Sequence, residues 1–288
     1  MNESLDRRLN VYRPDLADIR FQGRLQAARF TAGEAARIVE PVVDLKAEPK
    51  ADSGTQSQLL MGEGIRVFER RSGWCWIQAD SDDYVGYIKE SACEPGAITP
   101  THRVVAPRTF LYPDADLRLP PVAALSAGSL LTVGDEAETR GTLYYRLSGG
   151  GAVVARHCLP IGEVSSMDYI TIAEDFMETP YLWGGRSGFG IDCSGLVQLT
   201  LALAGLSAPR DSDMQAAGLG HEIDPGENQS ALRRGDFVFW SGHVGMMEDS
   251  NTLIHASGHT MSVTRESLDE ATARITSQYG APTFYRRL

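Results

Sequence analysis

An internal repeat, offset by 66 residues, most constrains how this chain of 288 residues can fold. Residues 37–41 (RIVEP) return as residues 103–107 (RVVAP), and the turn at residues 59–63 returns at residues 125–129. Each copy consists of short β-branched or aromatic runs split by Gly, Pro, Asp and Ser, which is typical of small all-β units. The repeat therefore predicts two tandem domains rather than a solenoid of shorter and more numerous units.

Each copy resembles a bacterial SH3 domain, and the first copy does so most clearly. Its features are the Leu-x-x-Gly-Glu turn of residues 59–63, the GWCW run of residues 73–76 and the YVGYI run of residues 84–88. The second copy is degenerate, because Gly-Ala-Val at residues 151–153 stands where Gly-Tyr-Ile stands in the first. From Val164 onward, longer helical periods indicate a different kind of domain. We predict four parts: an N-terminal arm (1–30), two SH3-like barrels (31–97 and 98–162) and a C-terminal domain (163–288).

Composition and cysteine usage argue against several classes of protein. A formal net charge of −11 is unsuited to nucleic-acid binding, which needs a basic face. The chain opens without an apolar run of signal-peptide length, and no window approaches about 18 apolar residues. We therefore expect a cytoplasmic protein with no membrane span. The four cysteines form no C-x-x-C pair, which indicates neither a zinc site nor a disulfide scaffold, and we expect three of them to be buried packing residues.

Cys193 is the cysteine that needs a chemical explanation. A glycine-rich loop at residues 184–190 leads through Asp192 into Cys193, and an apolar helical run follows at residues 196–203. At the N-terminus of a helix, unpaired amides and the helix dipole favour a thiolate, and the same amides can hold an oxyanion. We therefore predict that Cys193 is a nucleophile; a buried structural cysteine at a helix start is the alternative.

Two histidines provide the partner that a nucleophilic thiol needs. His243 begins one predicted strand and His255 lies in the next, with turn residues at 248–251 between them. A hairpin centred on Asp249 would place the two imidazoles directly opposite each other on one face of the sheet. One histidine can then act as the general base while the other fixes its tautomer and orientation.

A zinc site is the other chemistry that these residues offer. It would need a third and usually a fourth ligand at suitable spacing, with Cys193 as the third. A glycine-rich loop at a helix start suits a nucleophile better than a closed tetrahedral site. We therefore predict a site without a metal and without a cofactor.

At these residues the sequence resembles the NlpC/P60 family of cell-wall peptidases. The matching stretches follow the family's order: residues 180–185 (PYLWGG), 192–195 (DCSG), 209–212 (PRDS), 235–239 (GDFVF), 243–246 (HVGM) and 254–256 (IHA). The resemblance implies a papain-like α+β domain with a Cys-His-His triad. It also implies hydrolysis of the γ-D-glutamyl bond to a diamino acid, lysine or diaminopimelate, in peptidoglycan stem peptides.

Two SH3-like units ahead of such a domain resemble one subgroup of the family. That subgroup acts in cytoplasmic recycling, on stem peptides with a free N-terminal L-alanine, and its first SH3 unit borders the active site. The resemblance implies that Asp192 and Glu63 pair with the substrate's ammonium group and that Tyr84 walls the site. It assigns the S2–S1 region to Tyr181, Ser194, Asp211 and Ser212.

The sequence leaves alternatives open. Glu63 and Tyr84 are compatible with an ordinary turn and an ordinary sheet residue, and Asp211 with a cap of a helix that begins near Ser212. The leading function is the endopeptidase, with the stem peptide as substrate and no obligate protein partner. An amidase or acyltransferase on the same fold is a second, since a fold does not fix a substrate. A module that binds cell-wall peptide with weak catalysis is a third.

Overall fold

The computed structural model describes residues 5–288 and divides the chain into two compact units, one ending at Ile161 and one spanning Gly162–Leu288. The first unit is mainly β-structure with short 3₁₀ turns at Ile19–Phe21, Glu90–Ala92 and Ala155–His157. Its first strands are β1 (Ala17–Asp18), β2 (Phe30–Thr31), β3 (Glu34–Ile38), β4 (Val42–Lys46), β5 (Thr55–Leu60), β6 (Gly64–Arg71), β7 (Trp74–Ala79), β8 (Val85–Lys89) and β9 (Cys93–Pro95). Its later strands are β10 (His102–Val104), β11 (Arg108–Leu111), β12 (Ala123–Ser126), β13 (Leu130–Leu131), β14 (Val133–Thr139), β15 (Thr142–Leu147), β16 (Ala152–Val154) and β17 (Cys158–Pro160).

Strands β3 to β9 form one antiparallel sheet in the order β5-β4-β8-β7-β6-β3-β9. Successive side chains of a strand point to opposite faces, so the apolar residues of each short run can gather on the inner face of the curved sheet. The resulting core contains Ile38, Leu45, Ile65, Ile77 and Ile88. This packing explains why the first repeat alternates apolar residues with turn residues.

The segment before the first repeat packs on that sheet. It contributes β1 and β2, which pair in parallel. A β-bulge in β6 disrupts the regular alternation near Phe68, and Phe68 packs with Trp76, Val11 and Leu16. The Arg13 guanidinium lies 4.1 Å from the centroid of the Trp76 ring, which adds a cation–π contact to the apolar ones.

The sequence repeat has a counterpart in the backbone hydrogen bonds of the first unit. The Gly62 amide donates to the Ile38 carbonyl at 2.9 Å, and the Gly128 amide, at the repeat offset, donates to the Val104 carbonyl at 2.8 Å. Strand β3 pairs with β6 and β9, and its counterpart β10 pairs with β13 and β17. The two copies therefore share a strand-pairing pattern as well as a sequence pattern.

The second unit combines helices with an antiparallel sheet. Its helices are α1 (Tyr169–Glu174), α2 (Cys193–Leu203), α3 (Ser212–Gly218) and α4 (Leu268–Tyr279), with a 3₁₀ turn at Glu227–Gln229. Its strands are β18 (Arg186–Ser187), β19 (Gly190–Ile191), β20 (His221–Glu222), β21 (Phe237–Trp240), β22 (His243–Met247), β23 (Thr252–Ser257), β24 (Ser262–Ser267) and β25 (Phe284–Arg287). Strands β18 and β19 form a small hairpin, and the others form a sheet in the order β20-β25-β21-β22-β23-β24.

Strand β21 is buried along its whole length because both faces of the sheet are covered. Helix α4 packs on one face, where Leu268 and Ile275 join Val238 in a single apolar cluster. On the other face, the Tyr169 ring of α1 stacks on Phe237 at a centroid distance of 5.6 Å. Helix α2 contacts β22 and β23, the strands that carry the two predicted histidines.

Candidate active site

The predicted nucleophile stands at the first residue of a helix. Cys193 begins α2, and the Asp192 side chain caps that helix by accepting a hydrogen bond from the Gly195 amide at 2.7 Å. The second carboxylate oxygen of Asp192 accepts from the Gly184 amide at 2.9 Å. Asp192 therefore ties the glycine-rich loop to the start of the helix, and Cys193 is fixed between them.

The glycines of this loop are required by close backbone approach. A Cβ atom on Gly195 would lie 2.2 Å from the Gly185 carbonyl oxygen, and one on Gly185 would lie 2.6 Å from the Gly190 carbonyl oxygen. Neither neighbour is a flexible side chain, so the loop and the helix would have to separate to admit a side chain. The spacing of Asp192, Cys193 and Gly195 thus reflects the packing that holds the nucleophile.

Gly195→Ala is expected to destabilise the protein by about 2–3 kcal/mol, the cost of overpacking against backbone, and to abolish most activity. Urea unfolding measures the first effect and peptide turnover the second. Gly218→Ala is the matched control, because Gly218 is also helical and a Cβ there would meet no atom within 4 Å. Equal stability of the two variants would contradict the role assigned to Gly195.

The two histidines meet, although the predicted register of their hairpin is wrong. Strands β22 and β23 pair Met246 with Ile254, so the turn is centred on Ser250 rather than on Asp249. The Asp249 carboxylate accepts the Asn251 amide at 2.7 Å and so stabilises a turn at residues 249–251. A shift of two residues keeps each side chain on its face, so the imidazoles become diagonal neighbours instead of opposite ones. His243 Nε2 lies 2.7 Å from His255 Nδ1.

Glu266 is a fourth member of this site, and we did not predict it from the sequence. His255 Nε2 lies 2.7 Å from Glu266 Oε1, within ion-pair distance although outside the angles of a hydrogen bond. Burial opposes the charge on Glu266, but contacts with His255 and Arg274 hold the pKa of this carboxyl below its usual range. The signal for Glu266 lies only in the pairing of β23 with β24, which makes it a same-face diagonal neighbour of His255.

This chain of contacts selects the tautomer of each imidazole. The Glu266 carboxylate favours a proton on His255 Nε2, which leaves His255 Nδ1 as an acceptor. The proton shared with the neighbouring ring then belongs to His243 Nε2, and His243 Nδ1 is left as the basic atom. The Val244 amide donates to the Cys193 sulfur, which brings the residue next to His243 in the chain against the nucleophile.

Burial controls the protonation of the nucleophile and of the base. It raises the pKa of the Cys193 thiol to about 12, with the Asp192 charge acting in the same direction. It lowers the pKa of His243 to about 3, helped by His255 and Arg274. The helix N-terminus favours a thiolate by only about 1 kcal/mol, which burial outweighs. The free site therefore holds a neutral thiol and a neutral imidazole, rather than the thiolate that the helix position alone predicts.

The low pKa of His243 should make the fold sensitive to acid. Above about pH 6.5 the imidazole is neutral in both states, whereas below it the unfolded chain binds a proton that the folded chain does not. Stability should therefore fall as the pH decreases from 6.5 toward 3, and His243→Asn should reduce this loss. Urea unfolding at pH 7.5 and pH 5 measures it, and the exposed His221→Asn variant is the control. An equal loss in wild type and His243→Asn would refute this assignment.

A buried ion pair lies behind the nucleophile. Arg210 is 1% exposed, and its two terminal nitrogens lie 3.0 and 2.7 Å from the two carboxylate oxygens of Asp192. Arg210 also donates to Ser194 Oγ at 2.9 Å, and the Gln215 side chain donates to the Ser194 carbonyl at 3.0 Å. Arg210, Asp192, Ser194 and Gln215 thus form a polar base on which the first turn of α2 rests.

The structure brings several of the other predicted residues to the same region of the second unit. Tyr181 is half-buried, and its pKa is raised chiefly by burial, with the Asp192 charge and the nearby Cys193 sulfur, once ionised, acting in the same direction. Asp211 occupies the N-cap position of α3 and Ser212 begins that helix, but the Asp211 side chain makes no capping hydrogen bond. Helix α3 contacts α2. Tyr181 is thus a neighbour of the nucleophile, and Asp211 is not used as the helix cap.

Glu63 and Tyr84 belong to the first unit. Glu63 is buried, and its carboxylate accepts a hydrogen bond from the Leu60 amide at 2.8 Å. Its charge also acts on Arg103 of the second repeat, whose pKa is lowered by burial. Tyr84 is buried in the apolar cluster of the first β-sheet. Glu63 is thus a buried carboxylate within a turn, and Tyr84 a buried tyrosine in a core.

Metal-binding clusters and membrane-spanning helices are both lacking from the part of the chain that the structure describes. Among residues 5–288, no group of three or more His, Cys, Asp and Glu side chains is arranged to hold a metal ion. Within the same residues, no helix has both the length and the apolar character needed to cross a membrane.

Two segments of the chain match known domain families. Residues 178–278 match the model of the NlpC/P60 family, and residues 45–92 match the model described as the bacterial dipeptidyl-peptidase Sh3 domain.

Two curated relatives and one solved structure extend across most of the chain. A protein from Bacillus subtilis (strain 168) named gamma-D-glutamyl-L-lysine dipeptidyl-peptidase is 28% identical over 229 residues, covering 71% of this chain and 73% of its own. Dipeptidyl-peptidase 6 from Lysinibacillus sphaericus is 26% identical over 253 residues, and the match covers 81% of this chain and 91% of that protein. A crystal structure of an NlpC/P60 family protein from Bacillus cereus ATCC 10987 shares the fold at a TM-score of 0.71 and 20% identity, covering 88% of this chain and 99% of that one. The chain therefore carries an NlpC/P60 cysteine-peptidase domain, preceded by a bacterial SH3 domain.

Proposed function

We propose that the protein hydrolyses the bond between γ-D-glutamate and the diamino acid in peptidoglycan stem peptides that have a free N-terminal L-alanine. The observation that carries this proposal is the match of both the SH3 and the catalytic segments to proteins named as dipeptidyl-peptidases, one of them specific by name for γ-D-glutamyl-L-lysine. A dipeptidyl-peptidase releases two residues from an amino terminus. That action fits the recycling of cell-wall fragments, which we place in the cytoplasm as part of the same proposal.

We infer that residues 98–162 form a second SH3-like domain. The support is the backbone hydrogen bonds and strand pairing that this segment shares with the first repeat at an offset of 66 residues. The remaining boundaries of the proposal are an arm at residues 1–30, the first SH3-like domain at residues 31–97 and the catalytic domain at residues 163–288.

The reaction begins with proton transfer within the neutral pair. As the Cys193 sulfur attacks the γ-carbonyl carbon, His243 Nδ1 takes the thiol proton, and the new imidazolium is stabilised through His255 by the Glu266 carboxylate. Amides at the start of α2 can stabilise the tetrahedral oxyanion. His243 then gives the proton to the leaving amine of the diamino acid, and an acyl-enzyme forms. Water, activated by the same imidazole, releases the L-Ala-D-Glu dipeptide and restores the thiol.

We propose that carboxylates recognise the free amino end, because an ammonium group in a closed site needs a partner of opposite charge. Glu63, Asp192 and Asp211 are the proposed carboxylates, with Tyr84 as an aromatic neighbour and Tyr181, Ser194 and Ser212 as further substrate-binding residues. Because Asp192 pairs with Arg210 and caps α2, its replacement would also disturb the nucleophile. Glu63 and Asp211 are therefore the variants with which to test ammonium recognition.

Mass spectrometry of the products tests the proposed substrate. The free tripeptide L-Ala-γ-D-Glu-diaminopimelate, its lysine analogue and their N-acetylated forms are incubated with the enzyme. We expect cleavage after D-Glu in the free peptides only, and a raised KM in Glu63→Gln or Asp211→Asn. Equal cleavage of acetylated peptides would refute amine recognition, and transfer to an added acceptor amine without hydrolysis would identify an acyltransferase. Binding without turnover would identify a binding module.

A further inference from the structure

Two cysteines outside the active site face each other in the first unit. Cys75 lies in the middle strand β7 and Cys93 begins the edge strand β9, and their sulfur atoms are 3.9 Å apart. Both belong to the same buried apolar cluster. An S–S bond is about 2.0 Å long, so a displacement of roughly 2 Å separates this dithiol from a disulfide.

The Arg70 guanidinium lies next to both thiols. Arg70 Nη1 lies 3.3 Å from the Cys75 sulfur and 3.9 Å from the Cys93 sulfur, and Arg70 Nη2 is a buried donor with no hydrogen-bond partner. A guanidinium with an unsatisfied donor beside two thiols is suited to a thiolate, which accepts hydrogen bonds more strongly than a thiol. The hydrogen bond with Cys75, followed by the hydrogen bond and charge of Arg70, lowers the pKa of Cys93 to about 6, against the effects of burial and of the Glu90 charge.

We propose that Cys75 and Cys93 form a reversible redox-modification site that a hydroperoxide converts from a dithiol to a disulfide. The Cys93 thiolate attacks one peroxide oxygen, so an S–O bond forms, the O–O bond breaks and hydroxide leaves to take up a proton. Cys93 becomes a sulfenic acid, oxidised by two electrons, while the peroxide is reduced. The Cys75 sulfur then attacks the Cys93 sulfur, the S–S bond forms, and hydroxide leaves with the Cys75 proton as a second water. A thiol reductant reverses the change by exchange.

Access favours Cys93 as the first sulfur to react. Cys93 is 6% exposed, whereas Cys75 is fully buried. Strand β9 is short and lies at the edge of its sheet, where it pairs with β3. Local opening of such an edge costs less than opening the centre of the sheet, so a small peroxide can reach Cys93 while the rest of the core stays closed.

Cys158 provides an internal comparison for Cys93. It is as buried as Cys93, and it stands in the corresponding short strand of the second repeat, β17. Burial raises its pKa to about 12, and among residues 5–288 no other cysteine sulfur is recorded in contact with it. The two repeats therefore hold one thiol that is poised for oxidation with a partner and one that is not.

Peptide mapping of the full chain tests the proposal. The protein is treated with increasing hydrogen peroxide, unfolded in an alkylating reagent and digested without reductant. We expect a disulfide-linked pair of peptides containing Cys75 and Cys93, lighter by two hydrogens than the separate peptides, which reductant abolishes while Cys158 is still fully alkylated. Oxidation of Cys158 before any Cys75–Cys93 linkage, or linkage of either cysteine to another partner, would overturn the proposal.

A variant that keeps both thiols tests the part played by the cation. At pH 5, below the pKa of Cys93, Arg70→Met should slow the linkage about tenfold, because there one unit of pKa changes the thiolate fraction about tenfold. Far-UV circular dichroism verifies that the variant is folded, and Arg71→Met, at the exposed next position of β6, is the matched arginine control. A wild-type rate in Arg70→Met would refute the activation by Arg70, and Cys93→Ser should leave Cys75 fully alkylated.

Discussion

His243→Ala is expected to lower kcat/KM for the stem peptide by about four orders of magnitude, the upper end of what a general base contributes. The reason is the high pKa of Cys193, which leaves almost no thiolate at neutral pH unless a base removes the proton during attack. In a site with a preformed thiolate the same change would matter less. Steady-state kinetics with the free tripeptide measure the effect.

Graded variants show whether the histidine chain acts as a unit. Glu266→Gln keeps an acceptor oxygen for His255 but removes the charge, so kcat should fall about tenfold with KM little changed. The kcat of His255→Ala should lie between those of Glu266→Gln and His243→Ala. His259→Ala, in the loop after β23, is the control and should leave kcat intact. A loss smaller than tenfold in His243→Ala would contradict general-base catalysis by this residue.

Arg210→Met is expected to destabilise the protein by about 3–5 kcal/mol, because it leaves the Asp192 carboxylate buried without its counter-charge. Nearly all of the Arg210 side chain is inside the protein, so solvent cannot replace the lost partner. Asp192 caps α2, and activity should fall together with stability. Urea unfolding gives the free energy of unfolding of each variant.

A double-mutant cycle separates the ion pair from the loss of packing. Asp192→Asn keeps the capping oxygen and removes the charge, so adding it to Arg210→Met should recover part of the lost stability. The exposed pair Arg37–Glu94 provides the control, since Arg37→Met should cost less than about 1 kcal/mol. An equal loss in the free energy of unfolding for Arg37→Met and Arg210→Met would refute the burial argument.

The local chemistry of the nucleophile was predictable from the sequence because its determinants are adjacent in the chain. Asp192, Cys193 and Gly195 act within one helical turn, and glycines on either side of the nucleophile allow the close approach. The face of His243 and His255 was predictable too, because side-chain alternation survives a shift of two residues. Their register was not, since it depends on hydrogen bonds that Asp249 makes in the turn.

The features of the site that the sequence did not predict depend on contacts between residues far apart in the chain. Glu266 reaches His255 only through the pairing of a third strand, and Arg210 reaches Asp192 across the space between two helices. The protonation state of the Cys193 thiol could not be predicted from the sequence either. Burial is a property of the assembled domain, and its effect on the pKa of this thiol outweighs that of the helix terminus. Cys75 and Cys93 are separated by a hairpin in the chain and meet only in the folded sheet.

Turnover of L-Ala-γ-D-Glu-diaminopimelate by wild type, Cys193→Ala and Cys158→Ala tests the central claim most directly. Cys158 is an equally buried cysteine of the first unit, so its variant controls for the loss of a buried thiol. The account predicts release of the diamino acid by wild type and by Cys158→Ala, and none above background by Cys193→Ala in a folded protein. Release of the diamino acid by folded Cys193→Ala at a rate near that of wild type would contradict it.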